Sequence, residues 1–173
     1  TKEEEAIIEK LHQSFTSSEK LRGHIRSLLR HGCMYNIFNH NLLYHASIPL
    51  TKEGELKEVE LKPGLKLKGK ELMYQTGMLI RSAFQVPTAI DYFLYLWCGP
   101  NSPLFDKDKM ATFERYFIAD KETHQEEKGY YFSMRDDEKV VDMILDEFGV
   151  EQPNRHIING HVPVHVVKGE NPI

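Results

Sequence analysis

Apolar residues recur at helical spacing from the start of the chain and predict two consecutive amphipathic helices. The apolar face of the first helix is formed by Ile7, Ile8, Leu11 and Phe15. The apolar face of the second is formed by Leu21, Ile25, Leu28 and Leu29, and Gly32 follows as a stop. Capping-box spacings, which start helices, occur at Thr1-x-x-Glu4 and Thr16-x-x-Glu19. We therefore expect each helix to bury one side.

Two short apolar runs predict buried strands, and a histidine follows each of them. Residues 41–49 are Asn-Leu-Leu-Tyr-His-Ala-Ser-Ile-Pro, so a strand runs into a loop closed by proline, with His45 at its tip. Residues 155–161 are Arg-His-Ile-Ile-Asn-Gly-His, so a second strand ends at Gly160 and His161. Residues 162–167 predict a further strand. Gly160 has no Cβ, which would let an imidazole or an anion approach the backbone closely.

Between these strands the pattern is mainly helical. Residues 55–67 carry leucine and valine among charged positions around a Pro-Gly turn, and they predict an exposed ribbon. Helical spacing covers residues 71–84, 88–98 and 107–117, and again residues 136–148, which end at Gly149. Residues 119–128 are polar and predict a surface loop. The fold class is therefore mixed α/β with a helical middle section.

Composition and charge narrow the functional classes. The 173 residues are 40% hydrophobic and 28% charged, which is typical of a soluble globular domain. A net charge of -4 gives no electrostatic reason to expect binding to nucleic acid or to an anionic membrane. Cys33 and Cys98 are too few for a disulfide framework, and no apolar run reaches membrane-spanning length. We expect a cytoplasmic protein, of which this chain, starting without Met, is a cut piece.

Histidine is the candidate for chemistry, and nine histidines occur. His45 and His161 stand apart because each comes directly after a short apolar strand, where α/β folds place their sites. Neutral imidazole suits manganese, zinc or iron, and such ions polarise phosphoryl oxygens. On spacing alone the metal role competes with a structural one, since a strand-end histidine is more often part of a loop. The other histidines are assigned to solvated faces, loops or distant strand positions.

These strands belong to longer segments that resemble a known family. The segments are residues 41–45 with 48–50, Leu-Trp-Cys-Gly-Pro-Asn-Ser-Pro-Leu-Phe at 96–105, Thr-Phe-Glu-Arg-Tyr-Phe at 112–117, and Ile-Ile-Asn-Gly-His-Val-Pro-Val at 157–164. Together they resemble the class III fructose-1,6-bisphosphatases of Gram-positive and related anaerobic bacteria, members of the calcineurin-like metallophosphatase superfamily.

The resemblance implies a four-layer αββα fold and a two-metal site, typically of manganese, where water attacks a sugar phosphate. Two of the superfamily's histidine ligands match His45 and His161. Ala46 stands where a glycine is usual, and Pro163 replaces the second histidine of the Gly-His-x-His pattern, so this turn gives one ligand. The Gly-Asp-x-His, Gly-Asp-x-x-Asp-Arg-Gly and Gly-Asn-His-Glu motifs have no counterpart. We therefore expect the other ligands and the catalytic residues in a missing N-terminal part.

The functional expectation is a fructose-1,6-bisphosphate 1-phosphatase of gluconeogenesis, with residues 1–173 as an inactive C-terminal portion of its metallophosphatase domain. The expected partner is a small sugar bisphosphate, with neither nucleic acid nor membrane, and the oligomeric state is left open. Arg81 or Arg115 would contact phosphate, although a surface ion pair explains either equally well. The alternatives are a phosphatase for another phosphoester, or a non-enzymatic regulatory module in which His45 is structural.

Overall fold

The computed structural model describes residues 1–83, 86, 90–151, 153–162 and 168–169. The chain divides into two units, residues 1–33 and residues 34–173. Within the described ranges, no helix is long and apolar enough to cross a lipid bilayer.

The first unit consists of two helices, α1 (Lys2–Ser17) and α2 (Glu19–His31). The capping box predicted at the start of α1 is confirmed, because the Glu4 amide donates to the hydroxyl of Thr1 at 3.3 Å. The second predicted cap is wrong. Thr16 lies inside α1 and donates to a carbonyl there, while Ser18 caps α2 by accepting from the Leu21 amide. Neither helix buries a side fully: across residues 1–33, all described, neither has a buried residue, although Leu21, Ile25 and Leu29 of α2 are half-buried.

The second unit is organised around a three-stranded sheet in the order β1–β2–β7. Strands β1 (Tyr35–Phe38) and β2 (Asn41–Tyr44) are antiparallel and are joined by a two-residue turn. Both turn residues, Asn39 and His40, have left-handed backbones with φ of 49° and 61°, as a tight hairpin turn requires. Strand β7 (His156–Asn159) lies parallel to β2, with Tyr44 opposite Asn159.

The core of this unit packs β2 against a long helix, α7 (Glu138–Phe148). Leu42 and Tyr44 point from β2 into the core. The helix buries one stripe of side chains, namely Val140, Ile144, Leu145 and Phe148. The predicted stop at Gly149 is confirmed, with φ of 73° in the left-handed region that glycine adopts most readily.

The remaining elements partly follow the sequence pattern. They are β3 (Val59–Lys62), β4 (Leu65–Leu67), α3 (Gly69–Ala83), α4 (Ile90–Cys98), β5 (Lys107–Lys109), α5 (Thr112–Phe117), a 3-10 turn (Lys121–His124), β6 (Glu127–Lys128) and α6 (Tyr131–Met134). The ribbon β3–β4 forms as predicted, but one of its faces is buried, because Val59 and Leu61 pack with Leu72 of α3.

Two predicted segments differ from the structure. The helix predicted over 107–117 is wrong in its first part, where Lys107–Lys109 is strand β5 and pairs with β6. Likewise the polar stretch 119–128 is a 3-10 turn followed by β6 rather than a plain loop. Parts of three predicted elements lie outside the described residues. They are the predicted strand 162–167, apart from Val162, and residues 84 and 88–89 of two predicted helices. The mixed α/β class is confirmed.

Candidate functional site

The candidate site lies at the carboxyl ends of strands β2 and β7. Because β2 and β7 are parallel and Tyr44 lies opposite Asn159, residues 45 and 160 leave the sheet at the same edge. Two hydrogen bonds tie the two ends together beyond the sheet. The Gly160 amide donates to the carbonyl of His45 at 2.8 Å, and the Asn159 side-chain amide donates to the carbonyl of Ala46 at 2.7 Å. The histidine that follows each strand is thereby held over the same edge.

The structure brings the two predicted histidines into direct contact. Nε2 of His45 lies 3.2 Å from Nδ1 of His161, and their ring centroids are 5.1 Å apart with planes at 71°. The backbone of His161 is left-handed, with φ of 65°, a conformation that few residues other than glycine adopt, although histidine adopts it more often than most. Such a backbone is frequent at ligand clamps, where the surroundings hold it in place. Both side chains remain exposed to solvent.

The electrostatic surroundings keep His161 neutral. Its pKa is lowered from the ordinary 6.5, first by the partial desolvation of the ring and then by electrostatic repulsion from the neighbouring His45 and Lys107 side chains. A lowered pKa favours the neutral ring, in which one nitrogen has a lone pair available. The arrangement therefore favours a neutral ligand or hydrogen-bond acceptor at this position over a cationic histidine.

The distance between the two ring nitrogens is compatible with both binding one metal ion. Imidazole nitrogens about 2.1 Å from one ion, in adjacent coordination positions, lie about 3.0–3.4 Å from each other. The observed 3.2 Å falls in that interval, although a hydrogen bond between two neutral rings has the same length. Among the residues that the structure describes, no group of three or more histidine, cysteine, aspartate or glutamate side chains is placed to hold a metal. A complete centre would need further ligands.

Both predicted arginines have hydrogen-bond partners among the described residues. Arg115 pairs with Glu126 at 3.3 Å and donates to the carbonyl of His124. This is the surface ion pair foreseen as its alternative role. Arg81 donates to the carbonyl of Gly77 within its own helix at 3.1 Å. Neither arginine is among the described residues lining the cavity beside Gly160.

Sequence reasoning missed two features next to the histidines. A cavity of about 530 Å³ runs between β7 and α7 and reaches Gly160 and Val162. Lys107, expected in a helix, lies in β5 close enough to lower the pKa of His161. No local signal marks either feature, because both arise from elements that are distant in the chain. Around Gly160, a Cβ would meet only the carbonyl of His45, at an ordinary 3.6 Å, so the described packing does not require glycine.

Comparisons with known proteins agree on one family. The family described as Firmicute fructose-1,6-bisphosphatase matches residues 1–173. Similar proteins include the class 3 fructose-1,6-bisphosphatases of Phocaeicola vulgatus, 59% identical over 180 residues, and of Bacteroides thetaiotaomicron, 51% identical over 180 residues. Each match covers 100% of this chain and 27% of the relative. The enzyme so named from Clostridium botulinum is 50% identical over 177 residues, covering 98% of the chain and 26% of that protein.

The chain thus spans about a quarter of the length of the curated relatives that it matches. No solved structure matches it. Since the family match extends over the whole sequence, the chain belongs to the Firmicute fructose-1,6-bisphosphatase family.

Proposed function

We propose that the protein carrying this chain removes the 1-phosphate of fructose 1,6-bisphosphate in gluconeogenesis. The single observation that supports the site is the 3.2 Å approach of His45 and His161 at adjacent parallel strand ends. The substrate class rests on relatives that are named fructose-1,6-bisphosphatase class 3. The proposal includes a cytoplasmic location, since this substrate is an intermediate of central carbon metabolism.

Membership of this family implies a metal cofactor. We propose two manganese ions, with His45 and His161 each giving an imidazole ligand and with the carboxylate ligands supplied from outside residues 1–173. When bound, such ions polarise a phosphoryl oxygen and lower the pKa of bound water. The contribution of this chain is positional. The sheet and the Gly160 to His45 hydrogen bond fix the two backbones, and the lowered pKa of His161 favours the neutral ring, in which one of the two nitrogens carries no proton.

The proposal extends to the fold. The observed β2–β7 pair, with histidines at its carboxyl edge and α7 on one face, is the part of a four-layer calcineurin-like αββα arrangement that this chain would contribute. Residues 1–173 would then be a later portion of the metallophosphatase domain. A contact of Arg81 or Arg115 with the substrate phosphate stays a prediction, and Arg115 would have to leave Glu126 to make it.

The test uses the full-length protein and replaces each strand-end histidine separately. His45→Ala and His161→Ala should each lower bound manganese and reduce kcat for fructose 1,6-bisphosphate at least about 100-fold. His156→Ala is the matched control, because His156 is an exposed histidine at the opposite end of β7 from His161. It should keep both metal content and turnover.

Different failures identify different errors. If both alanine variants keep their metal and their turnover, the histidine pair is structural, as in a non-enzymatic module. If the manganese-loaded wild-type protein cleaves phosphopeptides and leaves fructose 1,6-bisphosphate intact, the substrate assignment is wrong while the metal site stands.

A further inference from the structure

Helix α1 exposes its whole apolar face, and α2 exposes Leu28, while the other apolar side chains of α2 are half-buried. The most exposed of these side chains, each more than half accessible, are Ile7, Ile8, Leu11, Phe15 and Leu28. A contiguous apolar stripe on an amphipathic helix indicates an interaction surface, because water contact with it is unfavourable. Something outside this unit is therefore expected to cover it.

The connection between the helices prevents them from covering each other. Helix α1 ends at Ser17 and α2 begins at Glu19, so Ser18 alone joins them, with φ of -75° and ψ of 100°. Two antiparallel helices in one chain need a loop of about 2–5 residues to lie side by side. With a single joining residue, α1 cannot fold back along α2 of the same chain.

The charges on the two helices are opposite. Helix α1 has four acidic and two basic residues, a net charge of -2, with Glu3, Glu4 and Glu5 in its first turn. Helix α2 has four basic residues and one acidic residue, a net charge of +3 with histidine neutral, and Arg30 lies in its last turn. Placed antiparallel, the acidic start of one helix would meet the basic end of the other, in accord with their dipoles.

These observations describe a self-complementary surface. Two helices with apolar stripes and opposite charges cannot pair within one chain, but they can pair between two chains. A two-fold axis would place α1 of each copy on α2 of the other, so that both contacts form twice. We propose that residues 1–33 dimerise the protein in this way, with a second copy of the same chain as the partner.

The first test breaks the apolar contact in the full-length protein. Leu11→Asp places a charge in the middle of the α1 stripe and should weaken dimerisation at least about 30-fold, as loss of a central apolar anchor does. Gln13→Asp introduces the same charge on the opposite face of α1, where Gln13 is exposed, and should leave the dimer intact. Sedimentation velocity over a concentration series measures both, and far-ultraviolet circular dichroism confirms that each variant is folded.

The second test uses charge reversal and separates a second copy from other partners. Glu3→Lys with Glu5→Lys makes both helices positive, and Arg22→Glu with Arg26→Glu makes both negative. Each doubly substituted protein alone should be monomeric, because like charges then face each other. An equal mixture of the two should form heterodimers, since every α1–α2 contact in the mixed pair is again between opposite charges.

Three results would overturn the proposal. The wild-type protein could remain monomeric at tens of micromolar concentration. The mixture of reversed proteins could fail to associate. Alternatively, Leu11→Asp could lower the melting temperature without changing the assembly, which would show that another part of the same polypeptide covers the stripe. None of these results depends on the phosphatase assignment, so failure of one proposal is distinguishable from failure of the other.

Discussion

The hydroxyl pair beneath the candidate site offers a quantitative test of the core. Tyr44, directly before His45, and Tyr131 of α6 place their hydroxyl oxygens 2.6 Å apart. Both residues are buried, with 7% and 2% of their surface exposed. Burial raises the pKa of Tyr131 to about 12 and raises that of Tyr44 further, so both groups stay neutral. The contact is therefore a neutral hydrogen bond shielded from water.

Removing one hydroxyl leaves the other buried without this partner. A net hydrogen bond contributes about 1 kcal/mol, whereas an unpaired buried hydroxyl costs about 1–3 kcal/mol. We expect Tyr44→Phe and Tyr131→Phe each to destabilise β2 by about 1–3 kcal/mol. The double variant removes both polar groups, so its cost should fall below the sum of the single costs by at least about 1 kcal/mol.

The measurement is native-state hydrogen exchange of the β2 amides in the full-length protein, which reports the free energy of local opening. Tyr74→Phe is the control, because the side chain of Tyr74 is 53% exposed, and it should change that free energy by less than about 0.5 kcal/mol. If the single variants are as mild as this control, or if their costs simply add in the double variant, the reasoning from the hydroxyl contact is wrong.

Three further predictions concern the second unit. Burial raises the pKa of Asp106 from 3.8 to about 6, so the folded state holds a proton that the unfolded state releases near pH 4. Stability should fall by up to about 3 kcal/mol as pH rises from about 4 to 6, and Asp106→Asn should abolish that slope in thermal melts. Gly149→Ala should cost about 1 kcal/mol of stability because φ is 73° there, although an added Cβ would meet no atom nearer than 3.9 Å. At Gly23, a helical position with open space around the added Cβ, the change to alanine should not destabilise the protein. Arg155→Met removes the ion pairs that join the residue before β7 to Asp142 and Asp146 of α7. The change should speed hydrogen exchange more in β7 than in α7, and an equal increase in both elements would contradict this reasoning.

The strands that carry the histidines could be predicted because their signal is local. Short apolar runs ended by proline or glycine mark β2 and β7, and the following histidines fall at the strand ends in both cases. The parallel pairing between them is not encoded in either run. It follows from packing both strands against α7, and only that packing turns two separate histidines into a pair 3.2 Å apart.

The errors lie where long-range contacts overrule local spacing. Met110, Phe113 and Phe117 have helical spacing, yet the residues just before them pair with β6, and Phe113 and Phe117 are exposed. Exposed aromatics at helical positions gain nothing from burial, so strand pairing decides the start of this segment. The ribbon is predicted to be exposed, and the buried face that carries Val59 and Leu61 is missed because the local pattern does not show that α3 covers it.

The separation of β2 from β7 along the chain also has a consequence for biosynthesis. These neighbouring strands are separated in sequence by the entire middle section, so their contact closes a long loop, which has an entropic cost. During translation, His45 leaves the ribosome well before its partner ring has been synthesised. A nascent chain that has not yet reached residue 161 lacks this imidazole pair, whatever the cellular supply of metal.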